Sequence, residues 1–123
     1  MTESRDPTLR VTMLPRDTNA RGTIFGGVIL SHIDLAGAIA AARLGPRNFV
    51  TRAIYEVDFI APVYVGDVVS LYASVIKQGK TSVTVKVEVE AERFKEAGKN
   101  VKVTAAEVIY VAVDDSGRPV SAV

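Results

Sequence analysis

The chain has 123 residues, the length of one domain, and 48% of them are hydrophobic while 24% are charged, as in proteins that bury a core. Fifteen Lys and Arg residues against fourteen Asp and Glu residues leave a net charge of +1, which provides no broad basic surface for nucleic acid or anionic lipid. Cysteine is absent, which excludes disulfides and thiolate chemistry and is compatible with a cytoplasmic location.

The N-terminal third predicts one short strand and one helix. Residues 1–7 read as a loose tail, and residues 9–13 alternate apolar and polar side chains, which is typical of a strand. After a polar loop at 16–23, residues 26–44 are rich in Ile, Leu and Ala and lack proline, which favours a helix. This helix is apolar almost all round but contains charged residues, so we expect it to be enclosed by the rest of the fold rather than to span a membrane.

The rest of the chain predicts four long strands, at residues 49–59, 68–77, 81–93 and 101–113. The third alternates most clearly, with valines on one face and Thr, Lys and Glu on the other. We expect short turns to join all four long strands, and strands joined by short turns are antiparallel. The prediction is therefore a single α+β domain over 1–123 in which a curved antiparallel sheet wraps one long helix. The turn at 114–117 is expected to close the ordered part, leaving 116–123 as a C-terminal tail.

The last predicted strand is apolar on both faces. Ile109, Val111 and Val113 lie on one face, and Ala106, Val108, Tyr110 and Ala112 on the other. A single helix covers only one face of a sheet, so the second face predicts self-association.

Familiar catalytic motifs are missing. His32 is the one histidine, and Ser31, His32 and Asp34 are too close along a helix to face one another as a triad. No histidine spacing for a metal and no phosphate-binding glycine motif is present. We therefore expect no metal site and no cofactor.

One carboxylate, one side-chain amide and a pair of glycines remain as candidate functional residues. Asp34 lies in the middle of the apolar helix, and Asn19 lies in the loop before the glycine pair Gly26-Gly27 at the helix start. Bare amides at a helix N-terminus suit a carbonyl oxygen that gains negative charge in a transition state, and a carboxylate suits a base.

Each of these residues also has a structural interpretation. Asp34 is equally compatible with a structural carboxylate, Asn19 with a turn former, and Gly26-Gly27 with close helix–sheet packing. His32 fits a packed helix residue better than a base, and the hairpin at residues 80–82 is by default a solvated turn.

The spacing of Gly26 and Asp34 restricts how they could cooperate. Eight residues of helix separate them by about 12 Å, too far for a water on one to attack a carbonyl held by the other. If both serve one reaction, they come from two copies of the chain.

The segment D-T-N-x-x-G-x-I-F-G-G at 17–27, the helical Asp34 and F-x-x-P-V-x-V-G-D-V at 59–68 resemble the hotdog-fold acyl-CoA thioesterases. Within them the chain is similar to the group of bacterial YciA and the mammalian cytosolic acyl-CoA hydrolases. The resemblance covers about residues 13–119. It implies the hotdog fold, pairing of two sheets into homodimers, and assembly of dimers into a homohexamer.

The resemblance also implies an activity, the hydrolysis of acyl-CoA to a free acid and coenzyme A, with coenzyme A as part of the substrate and no separate cofactor. Asp34 would be the base or nucleophile, Asn19 would position the water or carbonyl, and Gly26 and Gly27 would hold the carbonyl oxygen. The coenzyme A portion would lie at the turn formed by Gly79, Lys80, Thr81 and Ser82. Two alternatives of the same fold stay open: a non-catalytic acyl-CoA-binding module, and a dehydratase that would need a histidine paired with a carboxylate.

Overall fold

The computed structural model describes residues 5–122, which form one five-stranded antiparallel sheet and one long helix. In chain order the elements are β1 (Leu9–Thr12), a 3-10 helix (Pro15–Asp17), α1 (Gly26–Ala42), β2 (Asn48–Phe59), β3 (Val68–Gln78), β4 (Ser82–Glu92) and β5 (Asn100–Val113). The predicted helix and strands are confirmed, with small differences at their ends. The 3-10 helix lies in the stretch that the sequence predicts as a loop.

The strand order in the sheet is β1-β3-β4-β5-β2. The β3–β4 and β4–β5 pairs are hairpins, as expected, but β2 pairs with β5 at the far edge and not with β3. The expectation that short turns join all four long strands is therefore wrong for β2 and β3. The link between them runs past the start of α1, where the Ile24 N–H donates to the Val63 carbonyl at 2.8 Å.

The core lies between α1 and the side of the sheet that faces it. Its strand residues include the four alternating valines of β4 and four residues of β5, all buried: Val83, Val85, Val87, Val89, Ala106, Val108, Tyr110 and Ala112. The helix adds Ile29, Ile33, Ala36, Gly37, Ala40 and Ala41. Burial of each large apolar side chain stabilises the fold by about 1.5–3 kcal/mol, so this layer holds the helix firmly on the sheet.

The opposite side of the sheet and the β2 edge are open in a single copy. Ile109 and Val111 are only half-buried, and Val50 and Phe59 on β2 are 49% and 53% exposed. The helix is covered on one side alone, since Leu35 is 51% exposed, so the expectation that the rest of the fold encloses α1 is wrong for one chain. A long, apolar, unpaired edge strand is a surface that proteins cover with another chain.

The C-terminal residues are more ordered than expected. Pro119 forms a bridge with Val113, and the Ala122 N–H donates to the Lys80 carbonyl at 3.0 Å. The Ala122 side chain is only 3% exposed and belongs to the core. The prediction that the ordered part closes at residues 114–117 is therefore wrong, because the chain turns there and packs back onto the sheet. Residues 1–4 of the predicted N-terminal tail lie outside the described residues.

A buried ion pair fixes the β2–β3 link. The Asp67 carboxylate is 1% exposed and accepts hydrogen bonds from the Tyr64 N–H at 2.9 Å and from the Arg93 guanidinium at 2.7 Å. Arg93 also donates to the Pro62 carbonyl at 2.9 Å. Since the same link is bonded to the segment before α1, this pair helps to set where the helix begins.

Candidate active site

Two backbone amides at the start of α1 are unpartnered within residues 5–122. The Phe25 N–H donates to the Asp17 carbonyl at 2.8 Å, and the Val28 N–H donates to the Phe25 carbonyl at 3.0 Å. The N–H groups of Gly26 and Gly27, between them, donate to no described residue, and no side chain caps the helix. Unpartnered amides at the positive end of a helix dipole attract an oxygen that carries negative charge.

Packing does not explain why these two residues are glycines. A Cβ built on Gly26 would come no closer than 3.4 Å to the Phe59 ring, and one on Gly27 no closer than 3.5 Å to the Phe25 ring. Neither residue has a positive φ. The structure therefore does not support the close-packing interpretation of the pair. The missing side chains leave the two amides open to an incoming group.

Asn19 is held by its own turn. Its Oδ1 accepts hydrogen bonds from the N–H groups of Arg21 at 2.8 Å and Thr23 at 3.2 Å, and its Nδ2 donates to the Thr23 hydroxyl at 2.8 Å. These hydrogen bonds confirm the interpretation of Asn19 as a turn former. The side-chain amide is half-buried, and one N–H of its Nδ2 has no partner among the described residues. This N–H could donate a hydrogen bond to a ligand.

Asp34 is half-buried on α1 and lies beside the β2 edge of the sheet. Its Oδ1 accepts a hydrogen bond from the Thr51 hydroxyl at 2.7 Å and lies 3.2 Å from the Tyr110 hydroxyl. The Tyr110 hydroxyl makes its shorter hydrogen bond, 2.6 Å, to the Asp34 backbone carbonyl. Both bonds to the carboxylate are thus on Oδ1, and Oδ2 has no partner within residues 5–122. The carboxylate is not sealed in the core.

The Tyr110 hydroxyl keeps its proton in this position. Burial, and then the neighbouring charge of Asp34, raises the pKa of Tyr110 far above its usual range. A protonated hydroxyl donates, so Tyr110 is a permanent hydrogen-bond donor to Asp34 at any physiological pH.

The structure does not bring Asp34 together with the glycine amides within one chain. Gly26 and Asp34 lie on one continuous helix, about 12 Å apart by its rise per residue. They also face different parts of β2, since Gly26 lies next to Phe59 while Asp34 is bonded to Thr51. A single copy therefore presents two separate half-sites.

Gly79, Lys80 and Thr81 form the predicted turn between β3 and β4, and Ser82 is the first residue of β4. The Gly79 N–H donates to the Ser82 carbonyl at 2.7 Å, and the Thr81 carbonyl accepts from the Ala112 N–H at 2.9 Å. The turn lies at the same end of the sheet as Asp34, because Val83, next to the turn, is paired with Tyr110. The exposed Lys80 side chain is the positive charge of this turn.

His32 has no part in either half-site. Its Nδ1 lies 2.8 Å from the Val28 carbonyl of its own helix, the packed position that the sequence favours. In residues 5–122 no group of three or more His, Asp or Glu side chains could hold a metal ion. Over the same residues, no helix has both the length and the apolar character needed to cross a membrane.

The linings of two surface cavities contain none of the candidate site residues. One, of about 410 Å³, is lined by residues at the end of the β2–β5 pair where β2 begins and β5 ends, among them Asn48 and Asp114. The other, of about 310 Å³, is lined by the Tyr64, Arg93 and Phe94 region. Neither contains Asp34 or the glycine pair in its lining.

Sequence reasoning missed Thr51 and Tyr110. Both lie on strands, with Tyr110 in an apolar pattern and Thr51 in a β-branched one, and nothing local marks them as partners of a carboxylate. The charge of Asp34 in an apolar helix is the sequence signal that could have pointed to them. A half-buried carboxylate requires nearby hydrogen-bond donors, and hydroxyl groups on facing strands can supply them.

A model of the thioesterase superfamily matches residues 21–97, a range that contains the glycine pair, Asp34 and the β3–β4 turn. The chain belongs to the thioesterase superfamily. The acyl-CoA thioester hydrolase YciA of Salmonella typhimurium is 42% identical to this thioesterase over 113 residues, which cover 90% of this chain and 85% of the relative.

Solved structures give the same family and confirm the predicted fold. A hexameric hotdog fold thioesterase of Campylobacter jejuni is 44% identical, with a TM-score of 0.89 over 95% of this chain and 90% of that one. A hexameric thioesterase from Yersinia pestis is 39% identical, with a TM-score of 0.90 over 98% of each chain. The five-stranded antiparallel sheet packed against one long helix is therefore the hotdog fold, as the sequence predicts.

Proposed function

We propose that this thioesterase hydrolyses acyl-CoA to a free carboxylic acid and coenzyme A. The observation that carries the proposal is the pair of Gly26 and Gly27 amides, which have no partner among the described residues. They lie on the same helix as Asp34, whose Oδ2 also has no partner within residues 5–122. These groups are the parts that thioester hydrolysis needs, namely donors for an oxyanion and a base for water. The 42% identity to an acyl-CoA thioester hydrolase supports the same substrate class.

The proposed reaction uses each group once. Asp34 takes a proton from a water whose oxygen attacks the thioester carbonyl carbon, and the carbonyl oxygen becomes an oxyanion held by the amides of Gly26 and Gly27. Collapse of the tetrahedral intermediate breaks the C–S bond, and the proton on Asp34 passes to the departing sulfur. The remaining Nδ2 N–H of Asn19 would hold the water or the carbonyl in line.

Two copies are needed to join these groups. The β2 edge is unpaired, 12 residues long and carries exposed apolar side chains, so pairing with the β2 of a second copy would continue the sheet. Antiparallel pairing sets the Thr51 end of one β2 against the Phe59 end of the other. Asp34 of one copy would then approach the Gly26 amide of its partner. We propose a homodimer with two shared sites, assembled into a homohexamer like the hexameric relatives.

The β3–β4 turn would hold the coenzyme A portion of the substrate. Lys80 is exposed and positively charged, and the Thr81 and Ser82 hydroxyls can donate to phosphate oxygens. The turn lies at the end of the sheet where Asp34 lies, so a substrate bound there has its thioester directed toward the carboxylate. We place the reaction in the cytoplasm, in keeping with a chain that contains no cysteine.

The decisive test measures release of coenzyme A from an acyl-CoA in a thiol-trapping assay. We expect steady turnover by the parent protein and a loss of about 10²- to 10⁴-fold in Asp34→Ala, the usual effect of removing a general base. Asp115→Ala, which removes an exposed carboxylate in the 114–117 turn, is the matched control and should keep the parent rate. Parent activity in an Asp34→Ala protein of unchanged mass would refute the role of Asp34. Binding without release would favour the binding module, and hydration of an enoyl thioester would favour the dehydratase.

A further inference from the structure

The strongest unassigned feature is the cluster of two hydroxyl groups on one oxygen of Asp34. Thr51 on β2 and Tyr110 on β5 are directly paired across the sheet, so their side chains rise side by side toward α1. Thr51 donates to Oδ1 at 2.7 Å and the Tyr110 hydroxyl lies 3.2 Å from the same atom. The two residues therefore act on one end of the carboxylate and leave the other end open.

Gly37 provides the space for this contact. The Tyr110 hydroxyl reaches the backbone of α1 one turn from Asp34, where a Cβ on Gly37 would overlap it. Gly37 is buried and its φ is not positive, so close approach alone requires glycine there. Tyr110 is itself 1% exposed, which fixes the ring in the core. The Tyr110 hydroxyl therefore holds the helix backbone at Asp34 in a fixed position.

The sheet is irregular beside Thr51. The β2–β5 register shifts between Thr51 and Ala53, so Arg52 is an extra residue in the edge strand. A β-bulge bends the strand and redirects the neighbouring side chains. The bulge adjoins the one β2 residue whose hydroxyl is bonded to Asp34.

We propose that Tyr110 and Thr51 are positioning residues that hold Asp34 in the orientation in which Oδ2 is the reacting oxygen. Oδ1 is occupied by hydroxyl donors, and Oδ2 has no partner within residues 5–122, so Oδ2 is the atom that takes the proton from water. Neither hydroxyl touches the substrate in this proposal. The inference rests on the proposed role of Asp34 as the base.

The test compares kinetic constants for acyl-CoA hydrolysis in matched variants. We expect Tyr110→Phe and Thr51→Val each to lower kcat about tenfold or more with KM within about twofold, because orientation of the base is lost while substrate binding is kept. Thr51→Ser retains the hydroxyl and should keep kcat near the parent value. Tyr72→Phe, the same change on β3, is the control.

A second measurement separates positioning from a general structural role. In an Asp34→Asn background, Tyr110→Phe should cause no further loss of the residual rate, since in the proposal the effect of Tyr110 on catalysis is exerted by orienting the Asp34 carboxylate. An equal loss in both backgrounds would overturn the proposal, as would parent kcat in Tyr110→Phe and Thr51→Val while Asp34→Asn is inactive. If Asp34→Asn itself keeps the parent rate, the proposed function of Asp34 fails first.

Discussion

Gly26 and Asp34 lie on one helix but against different parts of strand β2, where Phe59 adjoins Gly26 and Thr51 is bonded to Asp34. A two-fold axis at the β2 edge would bring the Thr51 part of one copy against the Phe59 part of the other, because in an isologous interface residue i of one subunit contacts residue j of its partner and j contacts i. Gly26 and Asp34, which are too far apart to act together within one chain, would then lie close to each other across the interface between two chains.

Mixing of two inactive variants should restore activity if the site is shared. Asp34→Ala removes the base, and Asn19→Asp keeps the two hydrogen bonds that Oδ1 accepts but removes the Nδ2 donor. Random reassembly should give about one quarter of the parent activity, since half of the dimers are mixed and each mixed dimer has one intact site of two. The measurement is coenzyme A release after joint unfolding and refolding.

Remixing of Asp34→Ala with itself is the control and should recover nothing. No recovery from the Asp34→Ala and Asn19→Asp mixture, with parent mass by light scattering, would contradict a site built from two chains.

Gly26→Ala should separate activity from stability. The added methyl group fits beside the Phe59 ring at 3.4 Å, and alanine is favoured over glycine in helices by up to about 1 kcal/mol, so the melting temperature should not fall. The methyl group obstructs the approach of a carbonyl to the amides, and we expect kcat to fall about tenfold or more, in the range seen when oxyanion donors are compromised. Thermal melts and steady-state kinetics on the same sample check both statements.

Gly37→Ala is the contrasting variant. Its methyl group would overlap the Tyr110 hydroxyl, so we expect a loss of about 1–3 kcal/mol in the free energy of unfolding, typical of an overpacked core. Equal stability of the Gly26→Ala and Gly37→Ala proteins would contradict the packing described for Tyr110.

Asp67→Asn should destabilise the fold without removing any group from the half-sites. Asp67 is buried and is the carboxylate partner of Arg93, whose side chain is only 16% exposed, so loss of the negative charge leaves a cation without its counter-ion. We expect about 3 kcal/mol less free energy of unfolding in urea, measured at fixed protein concentration. Glu96→Gln breaks the exposed Glu96–Lys99 pair and should leave the urea midpoint unchanged.

The contribution of the buried Tyr110 hydroxyl to the free energy of unfolding should decrease at alkaline pH. The pKa of Tyr110 is raised in the folded protein by burial and by Asp34, so its contribution to stability is complete below the ordinary tyrosine value of 10.0. Above that pH the unfolded chain releases the proton first, and the contribution declines. The difference in free energy of unfolding between the parent and Tyr110→Phe should therefore shrink as pH rises above 10, as measured by denaturation at a series of pH values.

The secondary structure was predictable because its signals are local. The alternating valines of β4 and the alanine-rich α1 each carry their own period, and both appear where the sequence places them. The position of β2 beside β5 was not predictable, since it depends on contacts between residues far apart in the chain. Burial of Ala122 likewise depends on its bond to Lys80, more than forty positions earlier in the sequence.

The site was predictable in its parts but not in its geometry. A charge at Asp34 in an apolar helix and a glycine pair at its start are visible in the sequence. The structure shows a half-buried carboxylate there and two amides without a partner in the described part of the chain. The bonds from Thr51 and Tyr110 to Asp34 arise only once the sheet register and the helix position are known. The turn around Asn19 was correctly given as an alternative, and its role in catalysis stays a prediction.

The division of each protomer into an acidic half and an amide half has a consequence for gene duplication. If two copies of this sequence were fused end to end, the tandem protein would contain two complete sites where one suffices. One repeat could then lose its aspartate and the other its glycines, provided that the surviving halves meet. Sequence divergence between such repeats would be asymmetric, and the missing residues of one would be found intact in the other.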